Sequence, residues 1–299
     1  MKIPPYLQKG DTVAIVCTAR KFFYEDAIPA IELLESWGLQ VVLGTTIGLD
    51  NFQLGGTDAE RAADFQNMLD DENIKAIWCA RGGYGTVRII DLLDFTFFKE
   101  NPKWIMGFSD VTVLHSQVNV ERVASLHCIM PFTVPNASDE VKETLRKALF
   151  GEPIVYTIPS KTYDIRGKAS GELVGGNLSI LYSLLGSKSS IDTHNKILFI
   201  EDLDEYLYHV DRMMQNLKRN GYFEHLKGLI VGGMTDMHDN EIPFGQNAEQ
   251  LITAIAKEYN IPVCFDFPTG HVKDNRALIF GKQVDFEVTE KAVILKFNE

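Results

Sequence analysis

A beat of short apolar runs separated by helical spacings governs what this chain can become. Thr12-Val13-Ala14-Ile15-Val16-Cys17 is a continuous apolar run, as expected of a strand buried on both faces. Ala27 to Trp37 follows with helical periodicity, carried by Ala27, Ile31 and Leu34, and Gly38 ends it. Gln40 to Leu43 reads as the next strand, Asp58 caps a helix through about Leu69, and Ile74 to Cys79 is a third strand. A helix over Val87–Leu93, a strand from Trp104, a helix after Ser109, a strand over Val123–Cys128 and a helix over Glu140–Phe150 continue the pattern. Such alternation predicts a largely parallel α/β sheet with right-handed crossovers.

The beat breaks near Gly151. Glu152 to Pro159 is extended and Ser160 to Gly167 is polar, so we expect residues 1–150 to form one domain, 151–167 a linker, and 168–299 a second, mixed domain. In that second part Gly171 to Leu178 leads into a helix, and Lys196 to Ile200 is a strand. Tyr206 to Leu217 is a helix, Leu229 to Val231 a strand, Ala248 to Tyr259 a helix and Val263 to Phe267 a strand. Gln283 to Phe297 closes as a hairpin around Thr289-Glu290-Lys291. With 45% hydrophobic residues in a chain of 299, there is enough apolar material for two cores.

Charge and cysteine usage exclude several functions. A net charge of −12 opposes non-specific binding to nucleic acid or to an anionic membrane. No apolar run approaches the roughly 18 residues that a membrane span needs, and the first residues lack the apolar core of a signal peptide, so the expected location is the cytoplasm. The four cysteines stand far apart, and Cys17, Cys79 and Cys264 lie in apolar runs, where buried thiols are expected. No His/Cys/Asp/Glu cluster has metal-ligand spacing, so neither a metal nor a cofactor is expected.

The chemistry-bearing stretches lie where strands stop. Trp104 to Gly107 runs into Ser109, Asp110 and a helix. A serine at a sharp strand-to-helix turn presents its hydroxyl above the sheet, as in a nucleophile elbow; a serine there also serves as a helix cap. Ile197 to Glu201 brings a carboxylate to a strand end, with Asp202, Asp204 and Glu205 close behind, and Pro268-Thr269-Gly270-His271 brings an imidazole just past another strand. Serine, histidine and carboxylate are the set that acyl transfer requires. Glu201 ends the apolar run, whereas Asp204 and Glu205 fall in the first turn of the next helix, where acids suit the helix dipole. Arg81-Gly82-Gly83-Tyr84-Gly85 lacks the phosphate-loop pattern, but its glycines let backbone N–H groups approach a ligand. An oxyanion hole is then expected from the amide of Asp110 and one from Gly82 or Gly83.

The motifs Arg81-Gly82-Gly83-Tyr84-Gly85, Gly107-Phe108-Ser109-Asp110, Gly171-Glu172-Leu173-Val174-Gly175-Gly176-Asn177-Leu178, Phe199-Ile200-Glu201-Asp202 and Pro268-Thr269-Gly270-His271 stand in an order that resembles the LD-carboxypeptidase family of serine peptidases. That group includes muramoyltetrapeptide carboxypeptidases and microcin C self-immunity peptidases. The resemblance spans nearly the whole chain and implies a Ser109-Glu201-His271 triad, a doubly wound N-terminal domain, a smaller α/β C-terminal domain and an active site in the cleft between them. It implies a cytoplasmic, metal-free homodimer that removes the terminal D-alanine from the peptidoglycan tetrapeptide during cell-wall recycling. Arg81, Tyr84 and Asn177 are the expected substrate-binding residues. Val111 stands where the α/β-hydrolase elbow has its second glycine, so that superfamily is not implied. Two alternatives accompany this reading. One is a hydrolase of peptidyl- or aminoacyl-nucleotide conjugates, against which Gly186 to Asp192 offers no aromatic residue for base stacking. The other is a catalytically silent module that binds small peptides.

Overall fold

The chain builds two sheets that share one core. The computed structural model describes residues 1–298. The first part runs β1 (Thr12–Val16), α1 (Tyr24–Ser36), β2 (Gln40–Leu43), α2 (Asp58–Asp70), β3 (Ile74–Cys79), α3 (Thr96–Glu100), β4 (Trp104–Gly107), α4 (Thr112–Val120), β5 (Ser125–His127) and α5 (Asp139–Phe150). The second runs β6 (Val155–Pro159), β7 (Gly167–Asn177), α6 (Leu178–Ser183), β8 (Ile197–Leu203), α7 (Leu207–Arg219), β9 (Gly228–Thr235), α8 (Ala248–Ala256), β10 (Val263–Cys264), β11 (Leu278–Phe280), β12 (Gln283–Val288) and β13 (Ala292–Phe297).

The first sheet has the order β11-β5-β4-β3-β1-β2. Its five N-terminal strands are parallel and only β11 is antiparallel. β1, β3 and β4 are apolar apart from Thr12 and Lys75 and almost wholly buried, because helices cover both faces of a parallel sheet. The order 2-1-3-4-5 is doubly wound, and in such sheets ligands bind outside the carboxyl ends of the strands. Arg20, Arg81 and Ser109 follow β1, β3 and β4, so all three come to that edge.

The second sheet has the order β10-β9-β8-β7-β12-β13-β6 and is mixed. β7 to β10 pair in parallel, whereas β12, β13 and β6 pair antiparallel. One buried cluster joins Val13, Trp78 and Leu126 of the first sheet to Phe199, Ile230 and Phe286 of the second. The sheets meet where β11 and α4 pack on β7.

Several expectations are corrected. The stretch 151–167 is no free linker: Val155–Pro159 pairs with β13 and alternates Tyr156 and Ile158 inward, the period-2 pattern of a half-buried strand. Gly171 to Asn177 was not anticipated as a strand and is part of β7; it leads into a helix at Leu178, as expected. Val87 to Leu93 forms two 3-10 turns, Thr86–Arg88 and Ile90–Leu92, since so short a segment after a glycine turn closes i→i+3 bonds in preference to a full helix. Thr57, one residue before Asp58, caps α2, accepting from the Glu60 amide. The strand at Val263 ends at Cys264. β11 was not anticipated. All four cysteines are buried free thiols.

Candidate active site

The elbow after β4 is real in its backbone. Ser109 sits at φ +62°, in the left-handed region that costs an L-residue roughly 1–2 kcal/mol, and such strain persists only where surroundings over-determine it. Three buried side chains hold it here. The Asp110 carboxylate accepts the Thr86 amide at 2.9 Å, which ties the elbow to the loop after β3. His115, on α4, bonds the Gly107 carbonyl at 2.9 Å through Nε2 and Ser125 at 2.8 Å through Nδ1. Burial pushes its pKa down to about 4, so it braces the turn as a neutral ring. The Thr112 hydroxyl accepts the Asn177 amide at 3.0 Å, fastening the helix after the elbow to the second sheet.

The second sheet supplies the other two groups. Glu201 ends the apolar part of β8 and is fully buried. His271 lies on the loop after β10, and its ring sits 4.9 Å from the Phe108 ring. The Glu201 Oε2 atom lies 2.7 Å from His271 Nδ1 and accepts the His271 amide at 3.1 Å. His271 Nε2 lies 3.2 Å from the Ser109 hydroxyl. A carboxylate only accepts, so Nδ1 carries the proton and Nε2 is left to accept from the serine. Burial works against a charged His271, but the hydrogen bond and charge of Glu201 outweigh it and raise the pKa above 6.5. Gly270 makes the approach possible, because a Cβ there would stand 2.7 Å from Glu201 Oε2.

The amides expected to meet an oxyanion are free. Gly82 packs so closely on the elbow that an added Cβ would lie 3.4 Å from Ser109 Oγ. Among the described residues, the amides of Gly82, Gly83 and Asp110 donate to no other group. Gly82 and Gly83 share a cavity of about 610 Å³ with Arg20, Arg81, Ser109, Phe132, Asp204, Glu205 and His271. A second lobe of about 380 Å³ adjoins it past His271 and adds Ile129, Asn136, Lys273 and Asn275.

The neighbouring acids separate cleanly. Asp202 accepts from Asn177 Nδ2 at 2.9 Å and from the Ser179 amide at 2.8 Å, so it anchors the start of α6 and does not touch His271. Burial first, then the charge of Glu201, pushes its pKa up to about 7. Asp204 and Glu205 engage His238 and His209. Of the three expected substrate contacts, only Arg81 lines the cavity. Tyr84 is 46% exposed and outside it. Asn177 lies outside the cavity too: it is buried, caps α6 through the Ile180 amide and donates to Asp202. Arg20, His115, Phe132 and Leu203 were not anticipated, since nothing in their local spacing marks them.

The family models match in two blocks, the LD-carboxypeptidase N-terminal domain over residues 13–128 and the LD-carboxypeptidase C-terminal domain over residues 170–286. A probable murein peptide carboxypeptidase of Bacillus subtilis is 35% identical over 98% of this chain and 94% of its own length. A murein tetrapeptide carboxypeptidase of Pseudomonas aeruginosa is 26% identical over 92% of each chain. Among solved structures, the muramoyltetrapeptide carboxypeptidase from Oxalobacter formigenes superposes with a TM-score of 0.87 at 24% identity, over 96% of this chain and 99% of that one. That last likeness speaks to the fold.

Proposed function

The chain belongs to the LD-carboxypeptidase family, and on that premise we propose that it is a serine carboxypeptidase that removes the terminal D-alanine from peptidoglycan tetrapeptides. The observation that carries the reading is the Ser109–His271–Glu201 relay, closed at 3.2 and 2.7 Å across two sheets, at a strained elbow in an open cavity.

In this mechanism His271 Nε2 takes the Ser109 proton as Oγ attacks the scissile carbonyl. Glu201 holds the ring in the productive tautomer and stabilises the imidazolium. The oxyanion of the tetrahedral intermediate lies against the amides of Asp110 and of Gly82 or Gly83. His271 then returns the proton to the leaving amine, D-alanine departs, and water repeats the sequence on the acyl-serine. The reading includes cytoplasmic action and a homodimer on the family resemblance alone, and light scattering after gel filtration tests the dimer.

Mass spectrometry of a defined tetrapeptide incubated with the pure protein decides the substrate. Loss of a single alanine residue is the expected result. An untouched tetrapeptide together with turnover of an aminoacyl-nucleotide conjugate would replace this reading with the self-immunity type.

A further inference from the structure

Two guanidinium groups in the cavity form no ion pair. Among the described residues, the ion pairs of arginines are made by Arg61, Arg88, Arg146, Arg166 and Arg276; Arg20 and Arg81 make none. The acids lining the same cavity do not answer them, because Asp204 lies 2.6 Å from His238 and Glu205 engages His209. The Arg81 guanidinium lies 4.0 Å from the centre of the Phe132 ring, a contact that fixes the group in place and leaves its N–H donors for a planar oxyanion. Arg20 crosses Gly83, where a Cβ would come within 2.5 Å of its Nε. Gly82, next in the turn, abuts Ser109. The contacts Arg20–Gly83–Gly82–Ser109 thus bring a cation close to the nucleophile. Burial, and after it the charge of Arg20, depresses the Arg81 pKa, while Asp26 acts weakly the other way. Holding two like charges together in a chain of net charge −12 is unfavourable until an anion sits between them.

We infer that Arg20 and Arg81 together form the receptor for the α-carboxylate of the substrate's last residue, and so confine the enzyme to the chain end. The inference rests on the carboxypeptidase reading, in which that carboxylate lies one residue from the scissile carbonyl, a step of about 3.8 Å between Cα atoms. A peptide amidated or extended at its C-terminus lacks the charge at that point, and binding suffers.

The test separates binding from turnover. Calorimetry on Ser109→Ala compares a tetrapeptide free acid with its C-terminal amide, with circular dichroism to verify that each variant folds. The acid should bind about 10- to 100-fold more tightly, as charge-assisted hydrogen bonds allow. Adding Arg20→Gln or Arg81→Gln should shrink that preference to about threefold or less, with Arg20→Lys retaining more of it than Arg20→Gln. Equal binding of acid and amide by Ser109→Ala, with tetrapeptide turnover by the unaltered enzyme, overturns the receptor alone. A preference for the acid that survives both glutamine variants, or falls instead on Lys273→Gln in the second lobe, overturns it too. A preference for the acid that depends on both arginines, without turnover by the unaltered enzyme, upholds the receptor and overturns the reaction. Binding of neither ligand, without turnover, overturns both.

Discussion

In the proposed mechanism Ser109 carries the chemistry, and it does so from a strained backbone. With φ at +62°, its side chain costs stability that its reactivity justifies. Ser109→Ala should abolish turnover with little change in melting temperature, because it keeps the Cβ and the strain. Ser109→Gly should be equally inactive yet more stable than the alanine variant by about 1 kcal/mol, the left-handed penalty of a Cβ; thermal melts of the pair measure it. In the proposed mechanism His271 sets the pH dependence. Its neutral form must accept the serine proton, and Glu201 raises its pKa above 6.5, so kcat/KM should climb with pH through a limb above that value. Glu201→Gln removes the charge that favours the imidazolium and leaves the burial that opposes it. The variant should lose about two to four orders of magnitude in kcat, and its residual activity should show the limb at lower pH. A limb unmoved in that variant would mean that a group other than His271 is titrating.

At the scale of elements, the site depends on how β7, β8 and the start of α6 are pinned. Asp202 follows Glu201 directly, yet its partners are the Asn177 side chain and the Ser179 amide. Asp202→Asn places an amide against a backbone donor that needs an acceptor. It should destabilise the protein by about 1–3 kcal/mol, the penalty for an unsatisfied buried group, while lowering kcat far less than Glu201→Gln does. Chemical denaturation and steady-state kinetics on the two variants distinguish the anchoring acid from the relay acid. If Asp202→Asn is the more crippling in kcat, the relay assignment fails.

At the scale of the whole molecule, the two sheets are interleaved in sequence. β11 lies far along the chain but pairs antiparallel with β5, Leu278 opposite His127 and Phe280 opposite Ser125. The core shared by the sheets joins Leu126 and Cys128 to Phe199 and Phe280. A fragment of residues 1–150 would expose the β5 edge and the apolar side chains that meet Phe199 and Phe280, both invitations to aggregation. It should be insoluble or molten when expressed alone, and mixing with residues 151–299 should restore cooperative unfolding. A fragment that melts cooperatively by itself would show that β11 is dispensable.

Much of this was legible in the residues. Burial of a strand on both faces requires a nearly unbroken apolar run, so β1, β3, β4 and the start of β8 announced themselves, and Ser109, Glu201 and His271 were visible as reactive groups placed close to where such runs stop. Local period also encodes helices, which is why α1, α2, α5, α7 and α8 were found within a few residues of their ends. Three kinds of fact were not written locally. Strands as short as β11, or bordered by proline as β6 is, gain their stability from partners far away in sequence. Counter-charge is a property of space, so nothing near Arg20 or Arg81 in the chain marks them as unpaired, and nothing near Asn177 shows its amide committed to Asp202. The choice of Glu201 over Asp202 could be argued from alternation, but only the packing of β8 against the His271 loop decides it, because tertiary contact determines which carboxylate meets the imidazole and which meets a helix end.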